Sequence, residues 1–166
     1  MLQRPHLGIV TAYPARYGVK MNKPDDSTRP AGSSRPPVAP YLTVTPASAA
    51  AAFYAAAFGA TQKALMPALD GLRILHCELD INGGSVMVSD MFPEFGKTRV
   101  PLPAEPMPVS VSLEFDSGQA VDDTIARARS LGATVETEPT NSFWGTRFAV
   151  LRDPFGHRWI LNGPLG

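Results

Sequence analysis

Polar and apolar residues alternate with a period of two along several stretches of the chain. In Leu75-His76-Cys77-Glu78-Leu79-Asp80-Ile81 the odd positions are apolar, and His76, Glu78 and Asp80 point the other way. Val109-Ser110-Val111-Ser112-Leu113-Glu114-Phe115 repeats the pattern, with Ser110, Ser112 and Glu114 on the polar face. Tyr41-Leu42-Thr43-Val44 and Ser85-Val86-Met87-Val88-Ser89 follow it too, so Leu42, Val44, Val86 and Val88 turn inward and Tyr41, Thr43, Met87 and Ser89 outward. Such alternation predicts strands with one face on a core and one face open. Between the strands the spacing predicts helices. Ala47 to Phe58 is one, with Thr45 as N-cap, Pro46 at the first helical position and Gly59 as C-cap. The second runs from about Gln119 to Leu131, capped by Asp116 or Ser117 and ended by Gly132. Further strands are expected near 60–66, 72–82 and 85–90, and near 133–138, 145–152 and 157–162, with a hairpin at Asn82-Gly83-Gly84.

The order of elements occurs twice. Thr43-Val44-Thr45-Pro46 leads through a helix to Phe58-Gly59-Ala60-Thr61, and Glu114-Phe115-Asp116-Ser117 leads through a helix to Leu131-Gly132-Ala133-Thr134. The turn at Gly83-Gly84 returns as Asp153-Pro154-Phe155-Gly156. The offset is roughly 70 residues each time, which identifies two copies of one supersecondary unit. Each copy reads β-α-β-β-β. The expected fold is α+β: two βαβββ modules forming a cupped, mainly antiparallel sheet with the helices on its outer face. Module one spans 38–92, a linker 93–107 and module two 108–163. The linker carries Pro93, Pro101, Pro103 and Pro106. Residues 1–37, with six prolines among Ser, Gly and charge and no period, are expected to be a disordered Pro-rich tail.

Composition narrows the partners. Fifteen basic and fifteen acidic residues cancel, and both nucleic acid and anionic membrane demand a basic excess, so neither is expected as a partner. No apolar run approaches the roughly 18 residues of a membrane span. The single Cys77 cannot form an internal disulfide and sits on the helix side as a buried thiol, which fits a cytoplasmic protein. A nucleophile elbow, a P-loop, a dinucleotide fingerprint and paired C-x-x-C motifs are absent from the sequence.

The open faces carry His76, Glu78, Ser110, Ser112 and Glu114 with isolated apolar residues, a mixture suited to orienting a small molecule. The same mixture also suits a solvated sheet face. His76 and Glu78 lie two apart on one strand, able to share a metal with Glu114 as a third ligand, to act as an acid–base pair, or to hold each other. Trp144 can stack on a flat ligand or pack at an interface. Arg147 can hold an anion or pair with Glu78 or Glu114. Asp153, Pro154 and Gly156 form a turn, His157 reads as an exposed turn histidine, and Asp90 as a cap on the linker.

Several strings resemble one family: Pro40-Tyr41-Leu42-Thr43-Val44, Ala57-Phe58-Gly59-Ala60, His76-Cys77-Glu78-Leu79, Phe92-Pro93-Glu94-Phe95, Phe143-Trp144-Gly145-Thr146-Arg147 and Asp153-Pro154-Phe155-Gly156-His157-Arg158-Trp159. They resemble the PhnB-like branch of the vicinal oxygen chelate superfamily, which also holds glyoxalase I, extradiol dioxygenases and the bleomycin and fosfomycin resistance proteins. The resemblance covers about residues 38–163, with Ala149 standing where the branch usually has Gly. It implies a dimer of paired modules. In the superfamily's metal enzymes the ligands come from the first and last strand of each module. Here those positions fall near Ala39 to Tyr41, Ser89, Ser110 and Ile160, none of them His or Glu, so the usual metal centre and any cofactor are expected to be absent. Three readings stay open. The first is a binding protein of the glyoxalase/bleomycin resistance superfamily, holding a small molecule in the cup at His76, Glu78, Ser110, Ser112, Glu114, Trp144 and Arg147. The second is a metal-dependent lyase or dioxygenase-like enzyme using His76 and Glu78. The third is a protein without a ligand whose groove is a homodimer surface.

Overall fold

The alternating stretches form strands and the two intervening stretches form helices, in the order β1 (Tyr41–Val44), α1 (Ala47–Phe58), β2 (Thr61–Pro67), β3 (Ile74–Ile81), β4 (Gly84–Asp90), β5 (Ser110–Glu114), α2 (Gly118–Ser130), β6 (Thr134–Asn141), β7 (Thr146–Arg152) and β8 (Arg158–Pro164). The structure is a computed structural model and describes residues 36, 38–96, 99–102 and 105–166. The tail expected over 1–37 lies, Pro36 apart, outside the described residues.

Each module is a four-stranded sheet with one helix. The strand orders are β1-β4-β3-β2 and β5-β8-β7-β6, with one parallel pair and two antiparallel pairs in each. The alternation places the inward residues as expected: Leu42, Val44, Cys77, Leu79, Ile81, Val86, Val88 and Leu113 are buried. Asn82 (φ 52°) and Gly83 (φ 79°) both take the left-handed conformation that a two-residue hairpin turn requires. Gly59 closes α1 at φ 72°, and Ser117 Oγ caps α2 by accepting the Ala120 N–H at 3.2 Å.

The cap of α1 differs from expectation. Pro46 occupies the cap position, and the Thr45 hydroxyl donates instead to the Val44 carbonyl at 2.6 Å. The Ala47 N–H is satisfied by Asp90 Oδ1 (3.0 Å), reaching over from the end of β4, while Asp90 Oδ2 accepts the Ile74 N–H (2.7 Å). Asp90 is buried and ties α1, β3 and β4 together rather than capping the linker. A carboxylate at a helix N-terminus also meets the favourable end of the helix dipole.

The modules share one core. Tyr54 and Phe58 of α1 pack against Trp159 of β8, with ring centroids 5.3 and 4.8 Å away. The two helices touch, and Arg127 of α2 donates to the Ala57 carbonyl near the C-terminus of α1 at 3.3 Å. The linker is braced at both ends. Arg73 bridges Asp70 and Glu94 and lies 4.2 Å over the Phe92 ring, and Arg152 donates to the Glu105 carbonyl at 3.0 Å.

Candidate functional site

The open face of module two is built in rows fixed by strand register. The first row is Ser110, Arg158 and Arg152, the second Ser112, Ile160 and Val150, the third Glu114, Asn162 and Phe148. A register shift in β6 between Val135 and Thr137 turns Glu136 onto the first row. There Glu136 accepts from Arg152 Nε (2.9 Å) and Arg158 Nε (2.6 Å), and Arg158 also donates to Ser110 Oγ (2.9 Å). This end of the face is closed by its own charges. Burial pushes the Glu136 carboxyl up, but the hydrogen bonds from Arg158 and Arg152 outweigh it and hold the group below the usual carboxylate range. A lowered native value means stability that is present above the unfolded-state value and lost as pH falls through the native one. Wild-type protein is therefore expected to lose more unfolding free energy between pH 6 and pH 3 than Glu136→Gln does, by about 1 kcal/mol. Urea titrations at each pH measure this, and parallel curves for the two proteins would refute it.

The third row is open. Glu114 Oε1 accepts from Ser112 Oγ (3.0 Å) and Asn162 Nδ2 (3.1 Å), and Asn162 Oδ1 accepts from Thr146 Oγ1 (3.4 Å). Phe148, beside Asn162, meets the Trp144 ring edge to face at 5.5 Å. Trp144 sits on the turn between β6 and β7, braced by Ser142 Oγ, which accepts the Thr146 N–H at 3.0 Å. Gly145 in that turn has φ 89°, a conformation that side chains resist. The turn holds Phe143 97% and Trp144 53% exposed, so an aromatic platform borders the polar row.

On module one, His76 Nδ1 lies 3.1 Å from Tyr41 Oη, with the rings tilted at 5.7 Å. Ser85 Oγ donates to Glu78 Oε1 at 3.2 Å. Where the β3–β4 hairpin of module one meets β5 of module two there is a recess of about 340 Å³. Asn82 pins this seam, its side-chain N–H donating to the Glu114 carbonyl. Ile81, Val86, Val111 and Leu113 give the recess apolar walls, and Ser85, Ser112 and Glu114 give it polar groups.

Of the residues singled out by sequence, Ser112 and Glu114 come together at this recess, and Glu78 stands behind Ser85. Ser110 is taken by Arg158, and His76 by Tyr41. Arg147 differs: it is in phase with Ala149 and Leu151, on the helix side, where Nε donates to Asp122 (2.8 Å) and Nη1 to Asn141 (3.0 Å). It pairs with neither Glu78 nor Glu114. His157 is buried, not an exposed turn residue, and its Nε2 lies 3.0 Å from the Thr43 carbonyl on the edge of β1. Sequence reasoning missed Ser85, Asn162 and Phe148 as open-face groups. Period-two counting through β7 and β8 was the signal available for the last two. Cys77 is buried, and desolvation raises its thiol above the ordinary range, which makes it inert.

The residues do not fit the superfamily's usual metal centre. The open-face positions of β1, β4, β5 and β8 supply Tyr41, Thr43, Ser85, Met87, Ser89, Ser110, Ser112, Arg158, Ile160 and Asn162, with Glu114 as their one carboxylate and no imidazole. Among the described residues no three His, Cys, Asp or Glu side chains are placed to hold one ion, so Glu114 does not complete a trio with His76 and Glu78.

A model of the Glyoxalase/Bleomycin resistance protein/Dioxygenase superfamily matches residues 37–161. An uncharacterised protein of Mycobacterium bovis is 38% identical over 132 residues, which span 78% of this chain and 84% of that protein. Protein PA1353 of Pseudomonas aeruginosa superposes with a TM-score of 0.63 at 24% identity, over 81% of this chain and 100% of its own. A PhnB protein of Bacillus cereus superposes with a TM-score of 0.60 at 16% identity, over 79% of this chain and 100% of its own. At these identities the two structures share the fold.

Proposed function

The chain belongs to the Glyoxalase/Bleomycin resistance protein/Dioxygenase superfamily, and from that premise we propose that it binds a small, flat molecule on the open side of its sheets without the superfamily's usual metal centre. The observation that carries the reading is the third row of module two. It sets a hydrogen-bonded carboxylate, an amide and an aromatic ring side by side, Glu114, Asn162 and Phe148, with the Trp144 ring against Phe148 from the neighbouring turn. Polar groups to orient and an aromatic surface to stack is the chemistry of ligand sites. The motif strings around Trp144 and Asp153 favour the PhnB-like branch. Balanced charge favours a small molecule over nucleic acid or membrane, and no helix among the described residues is long and apolar enough to cross a membrane. A cytoplasmic location and a homodimer complete the proposal. The metal-dependent reading through His76 and Glu78 lacks a third donor among the described residues.

The test uses the contrast between the two tryptophans, Trp144 exposed and Trp159 buried. Titration with a panel of flat heteroaromatic compounds is expected to quench Trp144 saturably. Trp144→Phe should abolish the signal while leaving affinity within about 3-fold, and Phe148→Ala should weaken binding about 5- to 10-fold, the worth of one aromatic contact. Sedimentation of the same samples is expected to give a dimer. A flat response across the panel sinks the binding reading. Quenching that tracks dilution without ligand would identify the aromatic turn as a subunit contact instead.

A further inference from the structure

We propose that the recess at the seam takes the protonated amine of its ligand. This rests on the binding reading above and adds to it the chemical class of the head group. Ser112 Oγ donates its single proton to Glu114 Oε1, and Ser85 Oγ donates its own to Glu78 Oε1, because a carboxylate can only accept. Both hydroxyl oxygens are thereby left with acceptor lone pairs. Asn82 spends one of its two side-chain N–H groups on the Glu114 carbonyl, and its Oδ1 is an acceptor as well. Glu114 Oε1 takes two donors, from Ser112 and Asn162, while Oε2 has none among the described residues. The polar side-chain oxygens that line the recess are thus all left to accept.

Among the described residues no Lys or Arg lines the recess, and none pairs with Glu114. The walls of Ile81, Val86, Val111 and Leu113 are apolar and place no competing donor or cation beside Glu114. An ammonium brings three donors and a positive charge to this arrangement, and charge-assisted hydrogen bonds are the stronger kind. An anionic head group would meet acceptors and a like charge. From Glu114 on β5 across Asn162 on β8 to Phe148 on β7 is two strand spacings, roughly 10 Å. A ligand with an amine on a short arm and a flat body spans that distance.

Three probes with one ring system separate the possibilities in calorimetric titrations of the full chain: 2-naphthylmethylamine, its N-acetyl derivative and 2-naphthylacetate. The amine is expected to bind at least 10-fold tighter than the neutral amide, with the anion weakest. In Glu114→Gln, which keeps an acceptor for Ser112 and Asn162, the ratio of amine to amide affinity should shrink below about 3-fold. Ser85→Ala should reduce it less. Thermal melts of both variants check that the fold is kept. Equal binding of all three probes overturns the amine assignment and leaves the binding reading standing. An amine preference that survives Glu114→Gln overturns the placement in the recess. No heat with any probe at millimolar concentration, together with a silent Trp144, overturns both.

Discussion

Asp153→Ala is expected to abolish the cooperative fold. Asp153 is buried in the turn between β7 and β8 and accepts four hydrogen bonds. Its Oδ1 takes the Phe155 and His157 N–H groups, both at 2.9 Å, and shapes the turn. Its Oδ2 takes the Tyr54 hydroxyl at 2.7 Å and the Trp159 indole N–H at 2.9 Å. Tyr54 belongs to module one and Trp159 to module two, so this one carboxylate joins the turn, the last strand and the opposite helix. Removing it strands three buried donors and a fourth, the Phe155 N–H, that is partly buried. At about 1–3 kcal/mol each the loss is on the order of 5 kcal/mol or more, comparable to the whole stability of an ordinary domain. Asp153→Asn should cost less, about 2–3 kcal/mol. Its amide can still accept from the turn, but its NH₂ then faces Tyr54 and Trp159, and only the hydroxyl can turn round to accept. Tyr54→Phe should cost least, about 1–2 kcal/mol, because it removes a donor and strands none. Burial, then the charge and hydrogen bond of Asp153, hold the Tyr54 phenol well above its usual range. Its contribution is therefore full below the unfolded-state value near 10 and is lost as pH rises through the native one. Urea unfolding followed by Trp159 emission gives the ranking, and an Asp153→Ala protein within 1 kcal/mol of wild type would refute the staple.

Asp153 also shows what the sequence made legible. The turn could be read from Asp-Pro-Phe-Gly because its geometry is local. The link to Tyr54, 99 residues away, could not, because nothing local distinguishes a buried aspartate in a turn from a solvated one. Asp90 is the same case: its distance from Ala47 in the chain hides the cap, and Thr45 offered a plausible local substitute. His157 looked exposed by its place beside a turn, yet the edge carbonyl of Thr43 draws it inward. By contrast, the bounds of α1, the hairpin at Asn82-Gly83 and the inward residues of β3 and β4 followed from proline, glycine and parity alone. The candidate site was legible strand by strand. Parity put Ser112 and Glu114 on the open face and could have put Asn162 and Phe148 there too, but that these stand beside Glu114 depends on register between strands, which single-strand patterns do not encode. Arg147 was within reach of parity, being in phase with the buried Ala149 and Leu151.

Gly163→Ala is expected to cost about 3 kcal/mol and to lower the melting temperature by about 10 °C. A β-carbon at Gly163 would lie 2.6 Å from the Ser117 carbonyl carbon and 3.1 Å from the Gly118 nitrogen, and would overlap the Ser117 carbonyl oxygen. These are backbone atoms of the α2 cap, so no side chain can swing aside. Either β8 or the first turn of α2 must move. Gly118 in turn lies against Arg147, where a β-carbon of its own would come within 2.9 Å of Arg147 Cβ, so α2 is held on both sides. The strain also reaches the open face. Asn162, the preceding residue, accepts the Phe115 N–H on its carbonyl at 2.7 Å and holds Glu114 with its amide. Moving β8 away from α2 moves Asn162 against Glu114. Amine-probe affinity should therefore fall at temperatures where the variant is still folded, as it would not for a loss of stability elsewhere. Gly96→Ala, where an added β-carbon meets nothing within 4 Å, is the control and should melt within about 1 °C of wild type. A Gly163→Ala protein that melts with the wild type would mean that β8 and α2 are not packed backbone to backbone. The coupling of the helix cap to the ligand row would then fall with it.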